Sequence, residues 1–253
     1  MSSHSLKNKV VVVGAGAKNL GGLISRSFGQ DGAKVVVHYH SDSTKAAADE
    51  TVQAIKMAGS DAFAMQGDLT QVAKIEQLFD EAVNRFGRID IAINTVGKVL
   101  KKPIVETTEV EYDEMFAVNS KAAYFFIREA AKRIPDHSKG KVITLATSLL
   151  AAFTGLYSTY AGAKAPVEHF TRAAAKELGP RGISVNNVAP GPMDTPFFYP
   201  AESPEAVAYH KAASMNGELT KIEDIVPIVK FLATDGWWIT GQTIFANGGY
   251  TTR

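Results

Sequence analysis

Tyr160 and Lys164 are separated by four positions in Tyr160-Ala161-Gly162-Ala163-Lys164, the spacing that stacks two side chains on one face of a helix. A phenol beside an ammonium can pass a proton to a substrate oxygen. A free phenol titrates near 10, and a neighbouring cation favours the phenolate. The pair therefore predicts a tyrosine acidified toward neutrality; reaching about 7 corresponds to roughly 4 kcal/mol of differential stabilisation. Such a donor is useful only beside a reducible substrate and a cofactor, so other elements must bring them there.

A glycine-rich turn is the first of these elements. Val11-Val12-Val13 runs into Gly14-Ala15-Gly16-Ala17-Lys18-Asn19-Leu20-Gly21-Gly22 and then a helical pattern. Glycines between a first strand and a helix let backbone approach a pyrophosphate, which rests on the helix N-terminus. At the end of the second strand, an acid would bond the adenosine ribose and repel a 2′-phosphate. The chain instead has His38-Tyr39-His40-Ser41, with Lys18 available from the turn and Asp42 the nearest acid. Imidazoles, a hydroxyl and an ammonium predict NADP(H) over NAD(H).

Short β-branched runs alternate with stretches of helical period. Strands are predicted at 9–13, 34–38, 62–66, 89–94, 141–146, 184–189 and 243–246, and helices near 20–31, 44–59, 71–87, 109–134, 156–179 and 222–233. Asp42 or Ser43 is a candidate cap for the second helix and Thr70 for the third. Most strand runs are apolar throughout, as strands covered on both faces are. The pattern predicts an α/β fold, a Rossmann-like doubly wound parallel sheet of about seven strands with helices on both faces. With 253 residues and no linker or repeat, we expect one domain over 1–253. The proline- and aromatic-rich stretch at about 190–220 is expected to be an irregular lid over a pocket.

A formal charge of +1 gives no broad attraction to nucleic acid or anionic lipid. There is no cysteine, which excludes disulfides and thiolate metal sites; no metal is expected. Met1–Lys9 lacks the apolar core of a signal peptide, and no stretch approaches a membrane span, so a cytoplasmic location is expected.

With these motifs in order, the chain resembles the short-chain dehydrogenase/reductase family across essentially its whole length. The glycine turn is similar to the family's Thr-Gly-x-x-x-Gly-x-Gly loop. Gly67-Asp68-Leu69 resembles the segment whose acid bonds adenine, and Asn94-Thr95-Val96-Gly97 stands where Asn-Asn-Ala-Gly is usual. Asn119 resembles the helix asparagine of the active site, and Tyr160-x-x-x-Lys164 is the signature pair. Pro190-Gly191-Pro192-Met193-Asp194-Thr195 resembles the stretch that touches nicotinamide carboxamide and phosphate. Ile239-Thr240-Gly241-Gln242 and Asn247-Gly248-Gly249 match the C-terminal region. The chain departs from the pattern in a glycine loop one residue longer than usual, in Thr95 and Val96, and in Asn247 where aspartate is common.

The resemblance implies hydride transfer to or from a carbonyl or alcohol substrate. Tyr160 would be the proton donor, Lys164 would also bond the nicotinamide ribose, and Asn119 would hold a connecting water. It also implies a hydroxyl that orients the substrate oxygen, usually thirteen residues before the tyrosine. Thr147 fits that spacing and Ser148 fits the usual residue type. Tyr157, seven residues before Lys164, has the spacing of related enoyl reductases, so reduction of an enoyl thioester is an alternative. Reduction of a 3-oxoacyl thioester is another, and a nucleotide-sensing protein without turnover is the alternative from a different class. Leu149, Leu150, Phe153, Tyr157, Met193, Phe197, Phe198 and Tyr199 are candidates for an apolar, partly aromatic pocket, favouring a hydrophobic ketone. The family also implies a homotetramer, with contacts on the helices near 109–134 and 156–179 and on the last strand.

Overall fold

The computed structural model describes residues 5–252; residues 1–4, within the N-terminal segment discussed above, and Arg253 lie outside the described residues. Seven strands form one sheet: β1 (Val10–Gly14), β2 (Lys34–Tyr39), β3 (Ala62–Gln66), β4 (Ile91–Asn94), β5 (Lys141–Leu145), β6 (Ser184–Pro190) and β7 (Thr243–Ala246). Their order is β3-β2-β1-β4-β5-β6-β7, and every pairing is parallel. The helices are α1 (Asn19–Gln30), α2 (Lys45–Met57), α3 (Val72–Phe86), α4 (Glu109–Phe116), α5 (Ala122–Arg133), α6 (Ser158–Leu178), α7 (Pro204–Ala212) and α8 (Ile222–Ala233).

The unbroken apolar runs have a simple cause. Val11 and Val13 point into a core with Ile24 and Phe28 of α1, Ile55 of α2 and Val229 of α8. Val12, between them, points the other way, toward Phe79 of α3, Phe126 of α5 and Leu178 of α6. Alternation thus exists in space but not in polarity, because both faces are covered. Strand order reverses beside β1, where the chain leaves toward β2 on one side and meets β4 on the other. A crevice opens outside the carboxyl ends of the strands at such a point.

Three local expectations are corrected. The helix expected over 109–134 is divided by a π-helical turn, Ala117–Lys121. The stretch 190–220 is not continuous irregular chain, because it contains α7; Ser203 Oγ accepts from Ala206 N at 3.2 Å, and Pro204 opens the helix. The caps also differ. Ser41 caps a 3-10 turn at Asp42–Thr44 that leads into α2, and Gln71, not Thr70, precedes α3.

Candidate active site

A groove of about 880 Å³ follows the carboxyl edge of β1, β2, β4 and β5, a size suited to a dinucleotide. Its floor is the β1–α1 turn, held in a fixed shape. Ala15 and Asn19 sit at φ 55° and 49°, left-handed values that cost a non-glycine residue free energy. Gly21 packs so closely that a Cβ there would lie 2.1 Å from Ala15 O and 2.7 Å from Thr95 Oγ1.

His38 braces this turn. Ala15 N donates to His38 Nδ1 at 2.9 Å, which leaves the ring proton on Nε2, 2.8 Å from Gly67 O. One imidazole therefore joins the β1–α1 turn to the turn after β3. Burial lowers its pKa to about 4, against the pull of the Gly67 carbonyl, so the ring is neutral at pH 7. Pleating explains the selection: His38 and His40 face the groove, while Tyr39 turns into the core around α1 and α2. His38, expected with its neighbours to favour a phosphate, is instead a brace between two turns, and Tyr39, expected in the groove, is in the core; side-chain alternation along β2 was the available signal.

Where α6 meets β5, the remaining candidates converge. Tyr160 is buried, and the Thr147 side chain lines the same pocket near enough to favour its phenolate. Ser148 lines the same pocket, but its Oγ is engaged in donating to Pro190 O. Lys164 Nζ donates to Leu145 O at 2.8 Å and Val96 O at 3.3 Å. Asn119, on the π-helical turn, donates from Nδ2 to Lys98 O at 2.9 Å and Met115 O at 3.0 Å, and its Oδ1 accepts from Lys98 N at 3.1 Å. Gly97 lies between these groups: a Cβ there would be 3.2 Å from Asn119 Oδ1 and 3.3 Å from Lys164 Nζ.

The electrostatics differ from the acidified phenol expected above. Burial pushes Tyr160 up to about 12, opposed only by the Thr147 side chain. Burial also pulls Lys164 down to about 8. The ammonium is aimed at two backbone carbonyls, so its hydrogen bonds do not go to the phenol oxygen.

On the far side of Tyr160 is a smaller pocket with about 90 Å³ of water-sized space, walled by Val99, Leu149, Met193, Phe197 and Phe198. Tyr157, Glu202, His210 and Tyr250 form its other end. Leu150 and Tyr199 are not among its lining residues; Tyr199 is exposed and hydrogen-bonds Asp194 at 2.6 Å. Phe153 projects wholly into solvent, on a loop before α6 that offers it no packing surface. Glu202, His210 and Tyr250 were missed because their meeting is set by the path of α7 and the C-terminal tail.

In the groove, the structure brings together Lys18, Asn19, Leu20, Gly21, His40, Asp68, Leu69, Val96, Gly97, Pro190, Met193 and Thr195 with Tyr160 and Lys164. Gly14, Gly16 and Asn94 lie behind the wall; Asn94 Oδ1 holds Val96 N at 3.1 Å. Gly191 lines the smaller pocket, and Ser41 is occupied with Ser43 and the 3-10 turn. The donor set fits a dinucleotide. Thr195 Oγ1 is buried in the groove wall with no protein partner, a position that favours a ligand acceptor or donor. Among the described residues, no group of three or more His, Cys, Asp or Glu is placed to hold a metal ion.

Residues 14–251 match the family model described as Enoyl-(Acyl carrier protein) reductase. The chain belongs to the short-chain dehydrogenase/reductase family. As a member, it is an NAD(P)-dependent oxidoreductase. It is 35% identical to a short-chain type dehydrogenase/reductase of Picea abies, over 96% of this chain and 93% of the relative. It is 34% identical to the NADPH-dependent aldehyde reductase-like protein, chloroplastic, of Arabidopsis thaliana, over 99% and 100%. A Burkholderia cenocepacia protein, described as a dehydrogenase and solved with NADP bound, superposes with a TM-score of 0.97 at 60% identity, covering 100% and 97% of the two chains. The Rossmann-like doubly wound fold expected from the strand pattern is the one observed. No helix among the described residues is long and apolar enough to cross a membrane.

Proposed function

We propose that this short-chain dehydrogenase/reductase catalyses reversible, NADPH-dependent reduction of a hydrophobic ketone, with Tyr160 as proton donor. The supporting observation is the meeting of Thr147 and Tyr160 in the wall of the apolar pocket, at the point where it opens into the groove. When bound, the cofactor supplies the hydride.

The chain's own residues do the rest. A phenol held high by burial stays protonated at pH 7 and is ready to donate. An alkoxide is a far stronger base than a phenolate, so transfer from Tyr160 to a developing alkoxide runs downhill. Thr147 Oγ1 shares the substrate oxygen with Tyr160 and fixes its direction. Lys164, one helical turn from Tyr160, carries positive charge that stabilises the phenolate left behind. Asn119 and Gly97 hold the loop after β4 against Lys164. Thr195, Asp68 and the β1–α1 turn would hold the dinucleotide.

NADPH is preferred on this reading. Lys18 and His40 line the groove, whereas Asp42, the nearest acid in sequence, does not. The Burkholderia structure contains NADP, and the Arabidopsis relative is described as NADPH-dependent. Comparing kcat/KM with NADPH and NADH tests this; equal or better use of NADH overturns it.

The description of the matching family model favours enoyl-thioester reduction as a second reading, with Tyr157 as the phenol. Against it, Tyr157 Oη donates to Glu202 Oε1, so that phenol is already committed to a carboxylate. Parallel assays on an aryl ketone, a 3-oxoacyl thioester and an enoyl thioester separate the readings. Turnover of the enoyl thioester alone would reject ketone reduction.

We place the lid at about 190–220, including α7, and treat 1–253 as one catalytic domain. The expected homotetramer and cytoplasmic setting belong to the same proposal. Exposed Tyr124 on α5 and Trp238 before β7 supply apolar surface for the subunit contacts. Sedimentation of the purified protein checks the assembly.

A further inference from the structure

We propose that Glu202 makes the substrate pocket a charge filter, admitting uncharged carbonyl compounds and rejecting those with a carboxylate or phosphate near the reacting carbonyl. This inference rests on the carbonyl-reductase reading and adds the electrical class of the substrate.

Glu202 follows the 3-10 turn Tyr199–Ala201 in the lid. Its side chain has no solvent exposure, yet it lines the same pocket as Thr147 and Tyr160. Oε1 accepts from the Tyr157 phenol. Oε2 is 2.5 Å from Lys101 Nζ and 3.6 Å from His210 Nε2. The carboxylate is thus ion-paired on one oxygen and hydrogen-bonded on the other, as a buried charge must be.

The ion pair is oriented. Glu202 faces the pocket, whereas Lys101 is not among the lining residues and its side chain is 20% exposed. Its Nζ lies 5.5 Å from the Tyr157 ring centroid, on the outer side of the cluster. The pocket thus meets the negative end of the pair. Among the described residues no lysine or arginine lines it. His210 does not compensate: Nδ1 is 3.0 Å from Tyr250 Oη, and burial lowers the imidazole's pKa against the pull of Glu202. An incoming anion would face a buried like charge with no free cation, in a place where water screens poorly.

A purely structural latch would affect all substrates alike, so the test uses a matched pair. Phenylglyoxylamide and phenylglyoxylate differ at one terminus, amide against carboxylate. Their dissociation constants are measured by calorimetry on enzyme saturated with tetrahydro-NADP, whose ring is uncharged and cannot give up hydride, and their reduction is followed by NADPH absorbance. Wild type should bind the amide at least about tenfold more tightly than the acid. E202Q keeps an acceptor for Tyr157 and Lys101 while removing the charge, and should shift the acid-to-amide ratio about tenfold or more toward the acid. K101M/E202L replaces the pair with apolar groups of similar length, a change buried pairs often tolerate; it should relieve discrimination less than E202Q, because it leaves no lysine behind. Equal wild-type affinities, or ratios within twofold of wild type in both variants, overturn the filter. Intact binding discrimination without reduction of either compound supports the filter and rejects ketone reduction.

Discussion

The groove and the pocket meet at Tyr160 but are built from different materials. The groove is shaped mainly by backbone: a turn with two left-handed non-glycine residues, a close-packed Gly21, and carbonyls that receive Lys164. The pocket is shaped by side chains from well-separated parts of the chain, and at one end Tyr157 and His210 gather on Glu202. A backbone site changes only when the turn changes, so it suits a ligand common to many reactions. A side-chain site can be altered one residue at a time, which suits a substrate particular to one enzyme.

The junction should show the largest effect. Tyr160→Phe keeps the ring and removes the proton. We expect kcat to fall about 10³-fold, within the range for loss of a general acid, while the NADPH dissociation constant stays within twofold. Stopped-flow turnover and fluorescence titration measure the two, and retention of most of the rate removes Tyr160 from the mechanism. One step out, Thr147→Ala should lower kcat about 10²-fold, as loss of an oxyanion donor does. Ser148→Ala should reduce kcat much less but destabilise the fold by about 1–3 kcal/mol, since Pro190 O loses its buried donor. A reversal of that order would assign the orienting role to Ser148.

Within the groove, bonding pattern should matter more than residue identity. His38→Ala should raise KM for NADPH about tenfold, the scale of losing one or two net hydrogen bonds. His38→Asn can place an acceptor and a donor on the same two backbone groups, and should recover most of the loss with kcat unchanged. Equal impairment by both variants would reduce His38 to a packing residue.

The smallest effect concerns stability and pH. In the folded chain His38 titrates near 4 rather than its ordinary 6.5. Between those values the unfolded chain binds the extra proton, so stability rises with pH across that window and falls as pH drops toward 4. The full swing from this group is on the order of 3 kcal/mol. Urea denaturation from pH 4 to 7 should show it in wild type and flatten it in His38→Asn.

The same contrast explains what could be read from sequence. The seven strands were legible as short apolar runs between stretches of helical period, most of them rich in valine or isoleucine and covered on both sides. The nucleotide turn was legible because its glycines are close in sequence. Tyr39 was misplaced because residue type was weighed without pleat direction. The π-helical turn left no compositional mark, and α7 was hidden by neighbouring prolines, although Ser203-Pro204-Glu205 is a helix-start signal. Glu202 and Tyr157 are 45 residues apart, and nothing local links them. Lys164 was legible as Tyr160's neighbour, but where its ammonium points depended on the carbonyls of β5 and the loop after β4.

The π-helical turn has a consequence for how this site can vary. Hydrogen bonds that skip five residues accommodate one more residue than an α-helical turn of the same span. Asn119 owes its bearing toward Lys98 and Gly97 to that surplus. Deleting one neighbour between Ala117 and Lys121 would wind the segment back to ordinary helix and swing the amide by about 100°, although every active-site side chain remained in the sequence. Here the count of residues governs the geometry as strictly as their chemistry does.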